Sequence, residues 1–359
     1  YEKTGTGENI ILLEAGMTRD LKDWDNVITE LAKTAQVIRY SRAGNGNSSA
    51  TEQHFSAEQY ATHTKRLLDA LPHLDQLPEP PTAKPETLVE IDKLSVSYKI
   101  AGSGMRSDTF TAVKEISLSL PKGQIIGLVG ESGSGKTSLG KAILGAAPIS
   151  SGQVSYFDDK QTLSFGHNKK LQRLELAKIA QLVFQDPYSS LNPRMTVRDI
   201  IAEPLEAMKL TSSRAETDQR IIEVAEKCHI DVTHLRRFPH AFSGGQRQRI
   251  SIARALICNP KFIVADESVA ALDVSIQAEI LGLLKSLRDE LGLTILFISH
   301  DLSVIANLCD WVCVMRYGEL IEQGSVRKIF LEPEKEYTQQ LIASIPVLTP
   351  KETAVSEEW

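Results

Sequence analysis

The chain has 359 residues, of which 42% are hydrophobic, 24% charged and 6% aromatic, with a formal net charge of −6. This length suggests about two or three domains with enough apolar material for a core that needs no disulfide or metal staples. The acidic balance argues against nucleic acid as a partner, and no apolar run approaches the ~20 residues that span a bilayer.

Two further features bear on the cellular compartment. The four cysteines (Cys228, Cys258, Cys309 and Cys313) form no CxxC pair and no zinc-ligand spacing, which favours small buried residues in a reducing compartment. The first residue is Tyr1 rather than Met and no signal peptide is visible, so we expect a cytosolic chain that can be a piece of a longer one. Attachment to a membrane through a partner stays open.

The N-terminal segment, residues 1–76, begins with predicted strands at Ile10–Glu14 and Val37–Tyr40 and a predicted helix at Trp24–Leu31. With Glu14-Ala15-Gly16 after the first strand and Arg42–Ser48 after the second, it resembles the opening of an α/β-hydrolase. The family's usual aspartate before that arginine is replaced by Ser41.

This segment ends before any nucleophile elbow, catalytic acid or catalytic histidine appears. We therefore expect residues 1–76 to be catalytically inert, either docked on the rest of the chain or loosely ordered. A gene fusion and an assembly chimera would both explain such a segment.

A proline-rich stretch, Leu77–Glu86, has four prolines in ten residues and predicts a stiff, extended linker. We expect the main domain at 87–345 and a polar tail at 346–359. Within the main domain, alternating apolar residues predict antiparallel strands at Leu94–Ile100 and Val113–Leu120.

The rest of the main domain indicates an α/β core. Continuous apolar runs predict strands buried on both faces, at Gln124–Val129, Phe262–Ala265 and Thr294–Ser299. An apolar stripe over Glu279–Leu291 predicts a helix that packs on this sheet. A mainly helical insertion is expected at about 187–242.

A phosphate-binding loop follows the first buried strand. Its eight residues match GxxxxGK[ST] without a departure: Gly130, Glu131, Ser132, Gly133, Ser134, Gly135, Lys136 and Thr137. A helix is predicted directly after it, at Thr137–Leu144, so backbone N–H groups and the helix N-terminus would face the phosphates. Lys136 should bridge the β- and γ-phosphates, and the Thr137 hydroxyl should coordinate Mg²⁺.

Two alternative readings of this loop are weaker. A chance Gly-Ser turn would not sit between a buried strand and a helix. A nucleophile elbow, G-x-S-x-G, fails because its fifth position is Ser134, and it would leave Lys136-Thr137 unexplained.

Two downstream motifs suggest how the site is completed. The strand Phe262–Ala265 ends in Asp266, placed to hold Mg²⁺, and Glu267, placed to polarise an attacking water. Further upstream, a Ser-Gly-Gly-Gln turn should open a helix capped by Ser243 and present amides to an anion; its residues are Ser243, Gly244, Gly245 and Gln246.

Taken together, residues 87–345 resemble the ABC ATPase family. The resemblance rests on the Walker A loop (Gly130–Thr137), the Q-loop Gln185, the signature Ser243–Gln246, the Walker B strand (Phe262–Glu267), the D-loop Ala271-Leu272-Asp273 and the switch His300. It implies a P-loop NTPase of ABC type: a mixed sheet core, an antiparallel β subdomain and a helical subdomain. It also implies nucleotide contacts from Ser138 and Asp273, and adenine stacking by Tyr98, although a tyrosine in a strand is commonly just packing.

The resemblance further implies a mechanism that uses ATP and Mg²⁺. Two such domains pair head to tail, so Ser243 and Gly245 would contact the γ-phosphate of the partner's nucleotide. Within one subunit, Glu267 would orient water, His300 would contact the γ-phosphate, and Gln185 would link Mg²⁺ to the membrane partner.

Longer stretches resemble the ATPase subunits of dipeptide and oligopeptide importers, a subfamily that also serves nickel and glutathione. They are Gln185–Val197, Phe238–Ser243, Leu272–Ala278 and the C-terminal Glu336–Leu341. This implies membrane-spanning permease subunits, an indirect solute-binding protein, no nucleic acid and a peripheral location on the cytoplasmic face of the inner membrane.

Departures from the subfamily leave the catalytic groups in place. The usual proline after the catalytic glutamate is Ser268, and the usual D-loop serine is Ala270, from which we expect altered coupling at most. A soluble ABC-type ATPase and a hydrolase fusion stay as alternatives. Co-purification with a multi-spanning membrane protein would separate a transporter subunit from the first, and an ester-hydrolysis assay would exclude the second.

Overall fold

The computed structural model describes residues 2–4, 9–15, 35–41, 86–100, 108–158, 161–168, 171–186, 189–270 and 272–344. The chain divides into two compact units, one made of Tyr1–Leu77 with Gln339–Trp359 and the other of Pro78–Thr338.

The first unit contains a three-stranded sheet. Its strands are β1 (Glu2–Thr4), β2 (Asn9–Ala15) and β3 (Ala35–Ser41), in the order β1-β3-β2. β2 runs parallel to β3 and β1 antiparallel to it. The two strands predicted from the sequence are therefore confirmed, whereas Trp24–Leu31, Arg42–Ser48 and the linker up to Pro85 lie outside the described residues.

The second unit begins with an antiparallel sheet of four strands in the order β5-β4-β7-β8. The strands are β4 (Thr87–Ile100), β5 (Asp108–Pro121), β7 (Ile149–Asp158) and β8 (Gln161–Gly166). One face is apolar and buried, as the alternation predicted, with Leu94 and Val96 fully enclosed. Both β4 and β5 are longer than the alternating pattern predicted. Register shifts interrupt the pairing between them, and such shifts break the regular alternation of apolar residues along a strand.

A six-stranded sheet forms the centre of this unit, in the order β13-β12-β6-β11-β10-β9. The strands are β6 (Ile125–Val129), β9 (Ala180–Val183), β10 (Phe262–Asp266), β11 (Thr294–Ile298), β12 (Trp311–Arg316) and β13 (Glu319–Ser325). All neighbours pair in parallel except β12 and β13. Every residue of β6, β10 and β11 is buried, which explains their unbroken apolar runs.

Helices flank this sheet. They are α1 (Lys136–Ile143), α2 (Arg173–Ile179), α6 (Val274–Leu291), α7 (Leu302–Leu308) and α8 (Val326–Leu331). A further helix, α9 (Glu336–Ala343), begins in this unit, and its residues from Gln339 onward belong to the first unit. α6 starts five residues earlier than the apolar stripe predicted, at Val274, and Ile280 is the first fully buried residue that the structure describes along it. It stops at Gly292, which adopts the left-handed conformation (φ 63°) that favours glycine.

A helical part follows β9 along the chain. It contains α3 (Val197–Ala207), α4 (Arg214–Lys227), short 3-10 turns at Val232–His234 and Pro239–Ala241, and α5 (Gly244–Leu256). Side-chain caps start α3 and α4, where Thr196 and Ser213 accept backbone N–H groups. α5 packs against both helices. The predicted helical insertion thus continues into the helix that the Ser-Gly-Gly turn opens.

One apolar core joins the two sheets of this unit and α1. Tyr156 lies inside it, fully buried, and its hydroxyl donates to the Ile143 carbonyl at 2.9 Å. The four cysteines are also buried and unpaired, and burial raises the pKa of Cys228 to about 12 and of Cys258 to about 11. None of the helices among the described residues is both long and apolar enough to cross a membrane.

Candidate functional site

The predicted site residues converge at one edge of the central sheet. Parallel strands β6, β11, β10 and β9 are neighbours, so their carboxyl ends lie side by side. The residues after these ends are Gly130, His300, Glu267 and Gln185, in that spatial order. In open parallel sheets, ligands bind outside the carboxyl ends of strands, which makes this edge the candidate site.

The phosphate loop has the backbone geometry that its glycines permit. Gly130 has φ 146°, and a Cβ there would lie 2.1 Å from the Met315 carbonyl oxygen. Gly135 has φ 103°, and a Cβ there would lie 2.3 Å from the Ala112 carbonyl oxygen. Both positions therefore need glycine for its conformation and for the close approach of a neighbouring backbone. Gly135 is also the residue from which α1 starts.

Lys136 is buried within this loop. Its Nζ donates to the carbonyl oxygens of Gly130 and Glu131, both at 2.8 Å. Burial lowers the pKa of Lys136, and the carboxylates of Glu267, Asp266 and Glu131 partly oppose that effect. The ammonium group therefore lies among the loop carbonyls at the start of a helix, where a phosphate would also be attracted.

Thr137 and Asp266 bring hard oxygen ligands together. The Thr137 hydroxyl donates to Asp266 Oδ1 at 3.1 Å, across 129 residues of sequence. Burial raises the pKa of Asp266, against the lowering effect of the Thr137 hydrogen bond. A buried carboxylate beside a hydroxyl and a phosphate loop suits Mg²⁺, which is commonly bound through one or two carboxylates plus substrate phosphates and water.

Glu267 lies between the two other predicted catalytic side chains. Gln185 Nε2 donates to Glu267 Oε2 at 2.7 Å, and His300 Nδ1 lies 3.3 Å from Oε1. The Glu267 side chain is 21% exposed and that of His300 is 46% exposed, so water can reach the pair. Glu267 also has φ 44°, a strained conformation for a residue with a side chain, of the kind found at functional sites.

The signature residues form a reciprocal cap on α5. Gln246 N donates to Ser243 Oγ at 3.4 Å, and Ser243 N donates to Gln246 Oε1 at 3.0 Å. Gly245 is buried against Ile276 of α6, and a Cβ there would lie 2.3 Å from its Cγ2 atom. The side chains of Ser243 and Gln246 are thus paired with each other's backbone N–H groups rather than with the phosphate loop of the same chain.

The remaining predicted residues lie as follows. Tyr98 is half-buried, and its hydroxyl donates to Ser138 Oγ at 3.2 Å, which places it beside the start of α1. Ser132 and Gly133 are exposed and Ser134 is buried in the loop. Asp273 is exposed where α6 starts, and Ala271 of the D-loop lies outside the described residues. Adenine stacking by Tyr98 stays a prediction.

Several contacts to these motifs were not anticipated. Tyr337 accepts the Glu131 N–H at 3.1 Å, and Gly318 N donates to the Ser134 carbonyl at 3.0 Å.

Arg254 of α5 makes two contacts beside Gln185. It donates to the Ser190 carbonyl at 2.7 Å and lies 5.4 Å from the centre of the Phe184 ring, so it contacts both flanks of the Gln185 loop. Apart from the tail resemblance that includes Tyr337, nothing in the sequence marked these residues.

Comparisons with known proteins agree with this geometry. The family model described as ABC transporter matches residues 113–270. The oligopeptide transport ATP-binding protein OppF of Streptococcus mutans is 42% identical over 269 residues, covering 75% of this chain and 85% of that protein. The dipeptide transport ATP-binding protein DppF of Lactococcus lactis is 42% identical over 269 residues, covering 74% and 84%.

Among solved structures, the dimeric post-hydrolysis structure of the ATP-binding cassette MJ0796 bound to ADP and Pi matches with a TM-score of 0.56 and 27% identity. It covers 67% of this chain and 99% of that one. None of these matches supports the α/β-hydrolase resemblance of residues 1–76. The fold, the motif residues at one sheet edge and the identity to both relatives lead to one conclusion: the chain belongs to the ABC transporter family of ATP-binding proteins.

Proposed function

We propose that this chain is the ATP-hydrolysing subunit of an importer for peptides or related small solutes. The observation that carries the hydrolytic part is the position of Glu267. Its two carboxylate oxygens are held by Gln185 and His300, beside the Thr137–Asp266 pair. Such a carboxylate, fixed and partly accessible to water, suits a group that orients an attacking water molecule.

The other residues take complementary roles. The loop N–H groups and Lys136 bind the phosphates, and His300 contacts the γ-phosphate. Thr137, Asp266 and Gln185 would hold Mg²⁺, which when bound neutralises developing charge on the phosphate oxygens. Glu267 then accepts a hydrogen bond from water and orients it toward the γ-phosphate in line with the leaving oxygen.

The signature turn acts on the nucleotide of a second ABC ATPase subunit. Ser243 caps an exposed helix N-terminus, a position that attracts anions, and its polar contacts are to Gln246. The similar cassette MJ0796 is described as dimeric, which supports head-to-tail pairing in which Ser243 and Gly245 face the partner's γ-phosphate. Both a homodimer and a heterodimer fit this arrangement.

Membrane partners follow from the relatives. OppF and DppF are named as ATP-binding proteins of oligopeptide and dipeptide transport, and their identity to this chain supports pairing with membrane-spanning permease subunits. A solute-binding protein outside the membrane would deliver the solute to those subunits. The ATPase would then lie on the cytoplasmic face of the inner membrane, attached through its partners.

The test is reconstitution with candidate permease subunits from the same organism. Proteoliposomes that contain the complex should take up a labelled di- or oligopeptide when ATP and Mg²⁺ are supplied at the ATPase side. The matched control is the same complex with Glu267→Gln, which should assemble but not transport. Failure to co-purify with any multi-spanning protein, with intact ATP hydrolysis, would contradict the transport role and leave a soluble ATPase.

A further inference from the structure

A tyrosine from the C-terminal part of the chain contacts the phosphate loop. Tyr337, in the first turn of α9, accepts a hydrogen bond from the backbone N–H of Glu131 at 3.1 Å. The two residues are 206 positions apart in sequence. Neither the Walker motifs nor the hydrolysis mechanism involves Tyr337.

The Tyr337 ring is held in place by Arg316, the last residue of β12. The guanidinium carbon of Arg316 lies 4.4 Å from the centre of the Tyr337 ring, and Tyr337 as a whole is 6% exposed. Burial raises the pKa of the Tyr337 phenol, so the hydroxyl stays neutral and can accept a hydrogen bond at any ordinary pH. A buried ring in a cation–π contact gives the hydroxyl a fixed position.

The hydrogen bond acts on one particular peptide group. The N–H of Glu131 and the carbonyl of Gly130 belong to the same planar unit and point in opposite directions. The N–H end donates to Tyr337, and the carbonyl end accepts from Lys136 Nζ at 2.8 Å. The orientation of this peptide plane is therefore fixed at both ends, and one of them is the lysine that binds phosphate.

The loop receives two more contacts, one from the end of β12 and one from the turn between β12 and β13. The Gly318 N–H donates to the Ser134 carbonyl at 3.0 Å, and the Met315 carbonyl lies directly against Gly130. The loop is thus supported from outside by residues 315–318, and Tyr337 adds the only one of these contacts that comes from a side-chain hydroxyl. A side chain can be altered without changing the backbone that surrounds it.

We propose that Tyr337 is a positioning residue for the phosphate loop, which fixes the Gly130–Glu131 peptide and, through it, Lys136 and the affinity for nucleotide. Through this hydrogen bond the start of the C-terminal helix is linked directly to nucleotide binding. The inference rests on the proposed ATP-binding role of the loop.

The experiment uses the full chain with Tyr337→Phe, which keeps the ring under Arg316 and removes only the hydroxyl. Binding of Mg-ADP is measured by calorimetry, and steady-state ATP hydrolysis gives KM and kcat. Loss of one net hydrogen bond should weaken Mg-ADP binding by about 3–10-fold and raise KM in proportion, with kcat within about twofold. The matched control is Tyr317→Phe, because Tyr317 also stacks on Arg316, at 5.1 Å, but is 68% exposed.

The outcomes separate cleanly. Weaker binding in Tyr337→Phe with an unchanged melting temperature and an unaffected Tyr317→Phe supports positioning. Unchanged affinity, or a loss of affinity that only accompanies a lower melting temperature, overturns it. If the unaltered chain itself bound no Mg-ADP, the proposed ATP-binding role would fail instead.

Discussion

The phosphate-loop half of the site and the signature half are built in different ways. The first gathers side chains from four strand ends, and its key groups bond to one another across long sequence distances, as in Thr137–Asp266 and Gln185–Glu267. The second is a single turn, Ser243–Gln246, whose first and last residues are paired with each other by two reciprocal hydrogen bonds. The first half is assembled by the tertiary fold, whereas the second is complete as local structure.

This difference indicates how each half works. The phosphate-loop half contains features that cost stability: a buried lysine, a buried aspartate and a glutamate in a strained conformation. Such features are retained where chemistry needs them. The signature half carries no comparable cost, because its function is to present a preformed helix end to something outside the chain. Substitutions in each half can therefore test this contrast.

Glu267→Gln should give the largest change. It keeps the size of the side chain but removes the negative charge that orients water, so we expect kcat to fall by about 10²-fold or more. Nucleotide affinity should stay within about twofold, and an ATP-bound dimer should accumulate, as seen by size-exclusion chromatography. The matched control is Glu290→Gln on the exposed side of α6. Turnover that matched the unaltered protein would remove Glu267 from catalysis.

Ser243→Ala should separate the two halves. Hydrolysis should fall about tenfold, while binding of Mg-ADP to the isolated monomer stays within about twofold, because Ser243 serves the partner's nucleotide. Loss of the cap should also cost about 0.5–2 kcal/mol of stability.

Ser213→Ala provides the control for that stability loss. Ser213 caps α4 in the same way, accepting the Glu216 N–H at 3.2 Å. It should lose similar stability, measured by urea unfolding, with no effect on turnover. If Ser243→Ala weakened nucleotide binding to the monomer, the two halves would not be independent.

Asp266→Asn should show how much the buried carboxylate in the phosphate-loop half lowers the stability of the folded chain. Burial raises the pKa of Asp266 in the folded state, so folding disfavours its charged form and stability falls as pH rises above the usual value of about 3.9. Without nucleotide, the variant should melt a few degrees higher at pH 7, and this gain should shrink as the pH is lowered toward 4. Asp92→Asn, at an exposed position in β4, is the control and should show no gain. A lower melting temperature at pH 7 would contradict the prediction.

Ser268→Ala should have the smallest effect. Ser268 is 2% exposed, and its hydroxyl has no hydrogen-bond partner among the described residues. Removing an unsatisfied buried hydroxyl should stabilise the protein by up to about 1 kcal/mol, with turnover within about twofold. A clear loss of stability in urea unfolding would mean that the hydroxyl is satisfied by water.

Much of the site could be predicted because its motifs are local. The loop Gly130–Thr137 needs its glycines for φ angles that residues with side chains rarely adopt, and the continuous apolar runs follow from burial on both faces of a sheet. The helix cap at Ser243 could also be predicted, because such a cap depends on residues only three positions apart. The helix after this cap and the strand that ends in Asp266 could be predicted for the same reason, because a local sequence pattern indicates each of them.

Other features could not be read from local patterns. The hydrogen bond between Tyr337 and Glu131 joins residues 206 positions apart in sequence. The hydrogen bond between Arg254 and Ser190, beside Gln185, joins residues 64 positions apart. Neither pair has a spacing that marks it, because such contacts depend on how whole elements pack. Glu267, which has a strained conformation, likewise donates its backbone N–H to the Ile298 carbonyl of the neighbouring strand at 2.9 Å, a contact between residues 31 positions apart.

The chemistry of this chain is encoded in short stretches of sequence: a phosphate loop, two carboxylates after a buried strand, a histidine after another and a capped helix start. These are properties of short segments, set by backbone conformation and by the period of apolar residues. The position of β11 between β6 and β10, which brings His300 to Glu267 and Thr137 to Asp266, is visible in the folded chain alone. Strand order is set by packing over the whole core, so no short segment encodes it.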